Sequence, residues 1–144
     1  MKDPLLLENQ LCFPLYAAAK EVVRCYRPFL EPLGLTYTQY IAMMALWEHK
    51  VLTINQLGKL LYLDSGTLTP MLKKMEQAGL LVRRRSEIDE RSVVINLTPK
   101  GEALREQAIN IPDEMAQYVK LNANDTIQLY HLLHRLLGSH NAVK

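Results

Sequence analysis

The chain has 144 residues, of which 49% are hydrophobic, and a formal net charge of +2. This length and composition are typical of one compact globular domain. No apolar run approaches the ~20 residues that a membrane span needs, and the N-terminus lacks the basic and then apolar order of a secretion signal. We therefore expect a single soluble, cytoplasmic domain (1–144) with no membrane contact.

Basic residues are concentrated in one segment. Residues 73–85 contain five basic residues and one acidic residue, whereas the rest of the chain has twelve basic and fourteen acidic residues. A local basic patch on a nearly neutral protein indicates contact with a polyanion. The basic residues of the patch are Lys73, Lys74, Arg83, Arg84 and Arg85.

The N-terminal third predicts one long helix. From Leu11 to Phe29 apolar residues recur at steps of three and four, the pattern of an amphipathic helix. Pro28, Pro32 and Gly34 should close it, because proline cannot continue a helix and glycine accepts the left-handed backbone of a helix end.

Capping motifs mark the next helices. Thr36 with Gln39 and Thr53 with Gln56 have the spacing of capping boxes, which predicts a second helix through Trp47 and a short third helix. The DSGT sequence at 64–67 can cap a fourth helix that stops near residue 79. The third and fourth helices would then form a helix-turn-helix.

A hairpin and two further helices should follow. Residues 80–84 and 92–97 are strand-like and are joined by the polar stretch 86–91. Thr98 and Pro99 begin a fifth helix, which Pro112 kinks or splits. A final helix from about Asn124 should end at Gly138. One face of that helix is apolar: Leu129, Leu132, Leu133, Leu136 and Leu137.

A helix-turn-helix followed by a hairpin is the winged helix-turn-helix arrangement. The predicted fold is therefore mainly α-helical with a small β-hairpin wing. We assign residues 36–97 to DNA binding, and 5–33 and 98–140 to dimerisation helices. One module contacts few base pairs, so we expect a homodimer on double-stranded DNA with a pseudo-palindromic operator.

The residue types of this unit suit DNA. Short hydroxyl side chains near the start of the fourth helix can approach base edges, with a lysine one turn farther on, and wing arginines can grip phosphates or enter the minor groove. Asp89 could orient Arg91. For any one of these side chains, a solvated surface group is the more common explanation, so the prediction depends on their convergence. The predicted DNA-binding residues are Ser65, Thr67, Thr69, Lys73, Arg84, Arg85, Asp89 and Arg91, with Arg83 beside them in the wing.

The two cysteines are expected to be free thiols. Structural disulfides are rare in a reducing compartment. If Cys12 and Cys25 share the first helix, their 13-residue step separates them by roughly 20 Å, too far for a bridge. Taken alone, each would be a small buried hydrophobic residue, and Cys25 keeps that interpretation.

Several segments together resemble the MarR family of transcription regulators, in its organic-hydroperoxide-sensing (OhrR-like) branch. They are LENQLCF at 7–13 with LY at 15–16, LTYTQY at 35–40, YLDSGTLTP at 62–70 and DERS at 89–92. The resemblance covers nearly the whole chain. The wing motif marks only the broad family, whereas the cysteine-bearing start is much narrower.

The resemblance implies a redox sensor. The cysteine that matches Cys12 senses peroxide in that branch, and tyrosines matching Tyr26 and Tyr37 hydrogen-bond it from the partner subunit. The expected function is a repressor, not an enzyme, that leaves its operator when an organic hydroperoxide oxidises Cys12. A thiolate needs access rather than a cofactor for this chemistry, so none is predicted.

Two features near the sensor refine the prediction. Pro14 departs from the family pattern and indicates that the regular helix begins near Phe13, with Cys12 at a helix N-terminus that favours the thiolate. No cysteine follows Cys25, so a resolving thiol on a distant helix looks absent. Oxidised Cys12 should react with a small cellular thiol or oxidise further.

Two rival functions stay open from the sequence. One is a MarR-type regulator released by a small phenolic or apolar ligand, and the other is a thiol peroxidase, which a single helix-borne thiol makes improbable. His131 and His134 share a helix face but lack the further ligands of a metal site, so we assign them to packing or solvent. Three aromatic residues fall on apolar faces and are expected in the core: Tyr16, Tyr40 and Trp47.

Overall fold

The computed structural model describes the backbone of residues 3–143 and the side chains of residues 3–138. Two short 3-10 helices, Leu7–Asn9 and Glu31–Leu33, lie on either side of the first α-helix. The α-helices are α1 (Cys12–Leu30), α2 (Tyr37–His49), α3 (Ile54–Leu61), α4 (Ser65–Gln77), α5 (Pro99–Ala108), α6 (Ile111–Ala116) and α7 (Ala123–Val143). The strands are β1 (Val51–Thr53), β2 (Leu81–Arg85) and β3 (Val93–Leu97).

The chain forms two compact units, Met1–Pro112 and Asp113–Lys144. The first unit contains the sheet and the helices around it, and the second contains α7. The first unit is a winged helix: three helices pack with a small antiparallel sheet whose last two strands form the wing. This confirms the predicted fold class.

The hydrophobic core of the first unit lies where α2, α3 and α4 meet the sheet. Its central side chains are completely or almost completely removed from water, and they are the apolar positions of each element that recur with helical or strand period. The core includes Met43, Leu46, Leu57, Leu68, Leu72, Met75, Leu81 and Ile95.

Side-chain caps begin the helices where the sequence predicted them. Thr36 and Thr53 both form complete capping boxes, with Gln39 and Gln56. The carboxylate of Asp64 caps α4 by accepting from the main-chain N–H of residue 67 at 2.7 Å. Thr98 caps α5. These bonds satisfy main-chain donors that a helix start otherwise leaves unpaired.

The sheet has one more strand than predicted. Its order is β1-β3-β2, and both neighbours of β3 are antiparallel to it. Leu52 of β1 and Arg83 of β2 lie on either side of Ile95 in β3. Strand β1 was not predicted, because three residues are too few for a visible alternation of apolar and polar side chains.

Two predicted helix ends need correction. Pro28 does not stop α1, which continues to Leu30, because a proline in the last turn removes one hydrogen bond without displacing the turns before it. Gly138 does not end α7, which runs on to Val143. The backbone of Gly138 is not left-handed, unlike that of Gly79 (φ 79°), the predicted stop after α4. The predicted split at Pro112 is confirmed, because α5 ends at Ala108 and Pro112 lies in the first turn of α6.

Candidate nucleic-acid interface and thiol sensor

A tight turn joins α3 and α4. The main-chain N–H of Leu63 donates to the carbonyl of Gly58 at 3.0 Å, and Tyr62 adopts the left-handed backbone that ends α3. A Cβ atom at Gly58 would lie 2.7 Å from the Leu63 carbonyl oxygen, closer than real Cβ atoms approach. Glycine at this position is therefore required for the turn that sets α4 against α3.

Helix α4 turns one face to the core and the other to solvent. Leu68, Leu72 and Met75 are buried. The opposite stripe is exposed, and its members follow each other at steps of four, three and four: Gly66, Pro70, Lys73 and Gln77. Among the predicted DNA-binding residues of this helix, Ser65, Thr67 and Lys73 are exposed, whereas Thr69 lies half-buried on the flank.

The wing presents two of its three consecutive arginines. Arg84 and Arg85 are exposed on β2. Arg83 does not join them, because its guanidinium lies 3.2 Å from the carboxylate of Glu76 and its main-chain N–H donates to the same carboxylate at 2.8 Å. These bonds hold the pKa of Glu76 below its ordinary value and tie the end of α4 to the wing.

Asp89 organises the wing turn. One of its carboxylate oxygens accepts from the main-chain N–H of Arg91 at 3.0 Å, and the other lies 3.3 Å from the hydroxyl of Ser92. The hydroxyl of Ser86 accepts from the main-chain N–H groups of residues 88 and 89. Asp89 thus bonds the backbone of Arg91 rather than its guanidinium, which corrects the predicted orienting role.

Cys12 is the first residue of α1 and is exposed, whereas Cys25 on the same helix is half-buried. Both are free thiols. The helix starts one residue before Phe13, close to where Pro14 indicated. Since both cysteines lie on one continuous helix, the 13-residue step separates them by roughly 20 Å.

Three tyrosines form a cluster at the other end of α1. The ring centroid of Tyr26 lies 4.9 Å from that of Tyr37 and 5.7 Å from that of Tyr40. Burial raises the pKa of the half-buried Tyr26 and Tyr37, and it raises the pKa of the buried Tyr40 to about 12. All three phenols are therefore neutral hydrogen-bond donors at physiological pH.

The predicted sensor residues lie in two separate places in the chain. Tyr26 and Tyr37 are together, but Tyr26 follows Cys12 by 14 residues on one helix, a separation of roughly 21 Å. One chain therefore does not bring the thiol and the phenols together.

Both units carry exposed apolar side chains. On α1 these are Phe13, Leu15, Tyr16, Val22 and Val23, and on α7 they are Ile127, Leu129, Tyr130, Leu132 and Leu136. Tyr16 is 60% exposed, so its predicted core position is wrong, whereas Tyr40 and Trp47 are buried as predicted. Exposed apolar area of this extent marks an interaction surface.

The described side chains form neither a metal site nor a membrane-spanning helix. Within the residues whose side chains are described, no three His, Cys, Asp or Glu residues are grouped as metal ligands. The rings of His131 and His134 lie 5.6 and 4.3 Å from the ring of Tyr130. In that same part of the chain, every helix is too short or too polar to cross a bilayer.

Several known proteins that are similar to this chain are transcriptional regulators. The family model described as transcriptional regulator SarA/Rot matches residues 24–108. The organic hydroperoxide resistance transcriptional regulator of Bacillus subtilis (strain 168) is 53% identical over 135 residues, 94% of this chain and 92% of that protein. The chain belongs to the MarR family, in its organic-hydroperoxide-resistance branch. It is an OhrR-like transcriptional regulator.

Solved structures extend the comparison with this MarR-family chain. The structure of reduced AbfR bound to DNA has a TM-score of 0.79 and 34% identity, covering 92% of this chain and 94% of that chain. The overoxidized AbfR bound to DNA has a TM-score of 0.73 and 35% identity, covering 90% and 95%.

Sequence reasoning missed three residues and one contact of the candidate sites in this MarR-family member. Pro70 and Gln77 lie on the exposed stripe of α4, and a helical projection of the predicted helix would have found both. Tyr40 lies under the tyrosine pair, and its spacing of three from Tyr37 placed both on one helix face. The bond of Arg83 to Glu76 joins separate elements and has no local pattern.

Proposed function

We propose that this chain is a homodimeric repressor that binds a pseudo-palindromic operator in double-stranded DNA and leaves it when an organic hydroperoxide oxidises Cys12. The protein would act in the cytoplasm, where bacterial chromosomal DNA is found. The observation that carries the proposal is the 53% identity to a hydroperoxide resistance regulator over 94% of the chain.

The DNA-binding part would be residues 36–97. We propose that α4 enters the major groove and that the wing lies over the neighbouring phosphates or minor groove. In this arrangement Ser65 and Thr67 meet the groove, Thr69 contacts its rim, and Lys73 reaches a phosphate beside it. The wing residues would be Arg84, Arg85 and Arg91, with Asp89 holding the turn. Two such units on a dimer contact two half-sites about one helical turn apart.

The dimer would be formed by residues 5–33 and 98–140. The exposed apolar side chains of α1 and α7 support this, because burial against a second copy removes them from water. The dimer would also complete the sensor. In the proposed dimer, Cys12 of one protomer lies beside Tyr26 and Tyr37 of its partner. Within one chain Tyr26 is roughly 21 Å from Cys12 along α1, and Tyr37 packs against that Tyr26.

The sensor reaction is a thiol oxidation in two steps. The Cys12 thiolate attacks the distal oxygen of the hydroperoxide, the O–O bond breaks, and the alkoxide leaves and takes a proton to become an alcohol. The resulting sulfenic acid then condenses with a small cellular thiol, which releases water and forms a mixed disulfide. The neutral phenols of Tyr26 and Tyr37 donate hydrogen bonds that favour the thiolate.

Release would follow as a population shift. The reduced dimer holds two α4 helices and two wings at operator spacing, and a bulky adduct on Cys12 destabilises that arrangement relative to a non-binding one. Each Cys12 reacts with one hydroperoxide molecule and is then held in the mixed disulfide. We therefore propose a regulator and not a thiol peroxidase, and sustained hydroperoxide consumption with a thiol donor would contradict this.

The experiment is operator binding by fluorescence anisotropy, with and without cumene hydroperoxide and a small thiol. We expect wild type to lose the operator on treatment and regain it after dithiothreitol. Cys12→Ser should bind equally well before treatment and should not respond. Cys25→Ser is the matched control and should respond as wild type does. Release of Cys12→Ser by peroxide would refute the sensor assignment.

The oxidation state of Cys12 has to be controlled in this experiment. One structural neighbour is named as overoxidized and bound to DNA. We expect the mixed disulfide to abolish binding here, so mass spectrometry of intact protein must accompany each anisotropy titration. Retention of operator affinity by protein that carries the mixed disulfide would contradict the proposed release step.

A second candidate function has one supporting observation. A pocket of about 160 Å³ on the first unit is lined by aromatic, aliphatic and cationic side chains, and it could hold a small phenolic or apolar ligand. It is lined by Tyr40, Met44, Trp47, Arg105, Ala108, Ile109 and Pro112. Ligand-induced release that survives in Cys12→Ser would favour this function.

A further inference from the structure

Pro70 occupies an unexpected place in α4. It lies inside the helix, seven residues before the last one, and it is exposed. A proline there removes a main-chain donor, so the carbonyl of Gly66 four residues earlier loses its usual helical partner. Pro28 is also inside a helix but lies in the last turn of α1, where little helix follows.

The fold of one chain gives Pro70 no packing role. The buried face of α4 is made by Leu68, Leu72 and Met75, and Pro70 lies on the opposite side. An alanine would strengthen the helix at an exposed site. Residues that weaken an element without a structural gain are found preferentially at functional sites.

The neighbours of Pro70 make its ring accessible and place it between cations. Side chains on a helix lean toward its N-terminus, so the ring of Pro70 extends over the turn that contains Gly66, which has no side chain to cover it. Lys73 and Lys74, three and four residues later, are exposed beside it. The result is one rigid apolar surface with positive charge on either side.

We infer that Pro70 is a specificity-determining residue that contacts the C5-methyl group of a thymine in the major groove, while Lys73 and Lys74 bind the flanking phosphates. The inference rests on the proposed DNA-binding function. The major groove displays the thymine methyl as its one apolar feature, and a rigid apolar ring lying between two phosphate-binding side chains is complementary to it. Polar side chains of the first turn would contact neighbouring base edges.

The test uses the duplex that wild type selects from a pool of random sequences. Each thymine of a half-site is replaced in turn by deoxyuridine, which removes only the methyl group, and affinity is measured by fluorescence anisotropy. We expect one thymine per half-site at which the loss is about fourfold for wild type, the value of one buried methyl group. For Pro70→Ala the same replacement should have no effect.

Lys73→Ala is the matched comparison. It should weaken binding to every duplex and reduce the salt dependence, while the methyl sensitivity stays as in wild type. Circular dichroism and melting of Pro70→Ala should show a helix at least as stable as the original.

Three outcomes separate the possibilities. Loss of methyl sensitivity in Pro70→Ala alone supports the inference. If Pro70→Ala keeps the wild-type methyl sensitivity, or if no thymine position responds in wild type, the contact does not exist and the inference is overturned. If wild type selects no duplex at all, the proposed DNA-binding function itself fails.

Discussion

The DNA-binding part and the proposed sensor of this chain differ in one respect. A single chain supplies the whole DNA-binding part, whereas the proposed sensor residues lie too far apart in a single chain to meet. The helix-turn-helix and wing are complete: Gly58 sets the turn, Glu76 joins α4 to β2, and Asp89 closes the hairpin. The proposed sensor is divided, with Cys12 at one end of α1 and Tyr26 near the other. The comparison supports the proposal that DNA contact is a property of the protomer, whereas peroxide sensing is a property of the dimer.

The largest effect is expected at the divided site. Replacing both Tyr26 and Tyr37 by phenylalanine keeps the rings and removes two phenol donors. A hydrogen bond to a charged group contributes about 1.5–3 kcal/mol, so the second-order rate of Cys12 with cumene hydroperoxide should fall on the order of a hundredfold. Stopped-flow measurements would check this.

Operator affinity is the control for the phenylalanine variant and should change less than twofold. A comparable loss of DNA binding would show that the tyrosine cluster shapes the DNA-binding unit as well, which would break the comparison.

A smaller effect is expected at the turn between α3 and α4. Gly58→Ala forces the new Cβ against the Leu63 carbonyl, and the backbone shift should cost about 2 kcal/mol of unfolding free energy. Gly138→Ala is the matched control. No heavy atom lies within 4 Å of the Cβ it would add, so it should stabilise α7 by up to about 1 kcal/mol. Urea titrations measure the unfolding free energy of both variants. Equal values for the two variants would contradict the described turn.

The wing arginines should each have a modest effect. The double variant Arg84→Ala with Arg85→Ala removes two cations from each protomer, and therefore four from the dimer. This should lower operator affinity by at least roughly tenfold and reduce the salt slope by about 3.6. Arg105→Ala removes one exposed arginine on α5 and should change neither quantity. Anisotropy titrations at several salt concentrations distinguish these cases. An unchanged salt slope in the double variant would remove the wing from the DNA interface.

The smallest effect concerns pH. The bonds from Arg83 lower the pKa of Glu76 from its ordinary value of 4.5, so the ion pair contributes stability above that value and loses it as pH falls through the lower folded pKa. Melting temperature should therefore fall more steeply on acidification in wild type than in Glu76→Gln. If the melting temperatures of the two proteins fall in parallel on acidification, the ion pair of Arg83 and Glu76 contributes nothing to stability.

The same comparison explains what the sequence could predict. Helix starts at Thr36, Thr53, Asp64 and Thr98 were all predicted, because a cap depends on residues three apart. Strand β1 was missed, because its three residues are a strand only through pairing with β3, more than 40 positions away. The predicted helix ends at Pro28 and Gly138 were wrong for a related reason. A proline or glycine ends a helix only where the surrounding structure leaves the backbone free to turn.

The functional residues follow the same division. Exposed positions on α4 and the wing were predicted from residue type and helical spacing, but the bond of Arg83 to Glu76 and the main-chain role of Asp89 depend on tertiary contacts. The separation of Cys12 from Tyr26 could be calculated once both were placed on one helix. The assignment of the tyrosines to a partner's thiol depended on family resemblance.

The most direct test of the divided sensor mixes two inactive variants. Cys12→Ser lacks the thiol, and the Tyr26→Phe, Tyr37→Phe chain lacks the phenols, so each homodimer should react slowly or not at all with cumene hydroperoxide. In the heterodimer, obtained with two affinity tags, one site combines an intact Cys12 with the partner's intact tyrosines. We predict that half of the sites in this heterodimer are intact and react at the wild-type rate. A heterodimer that reacts no faster than the tyrosine variant would contradict the account.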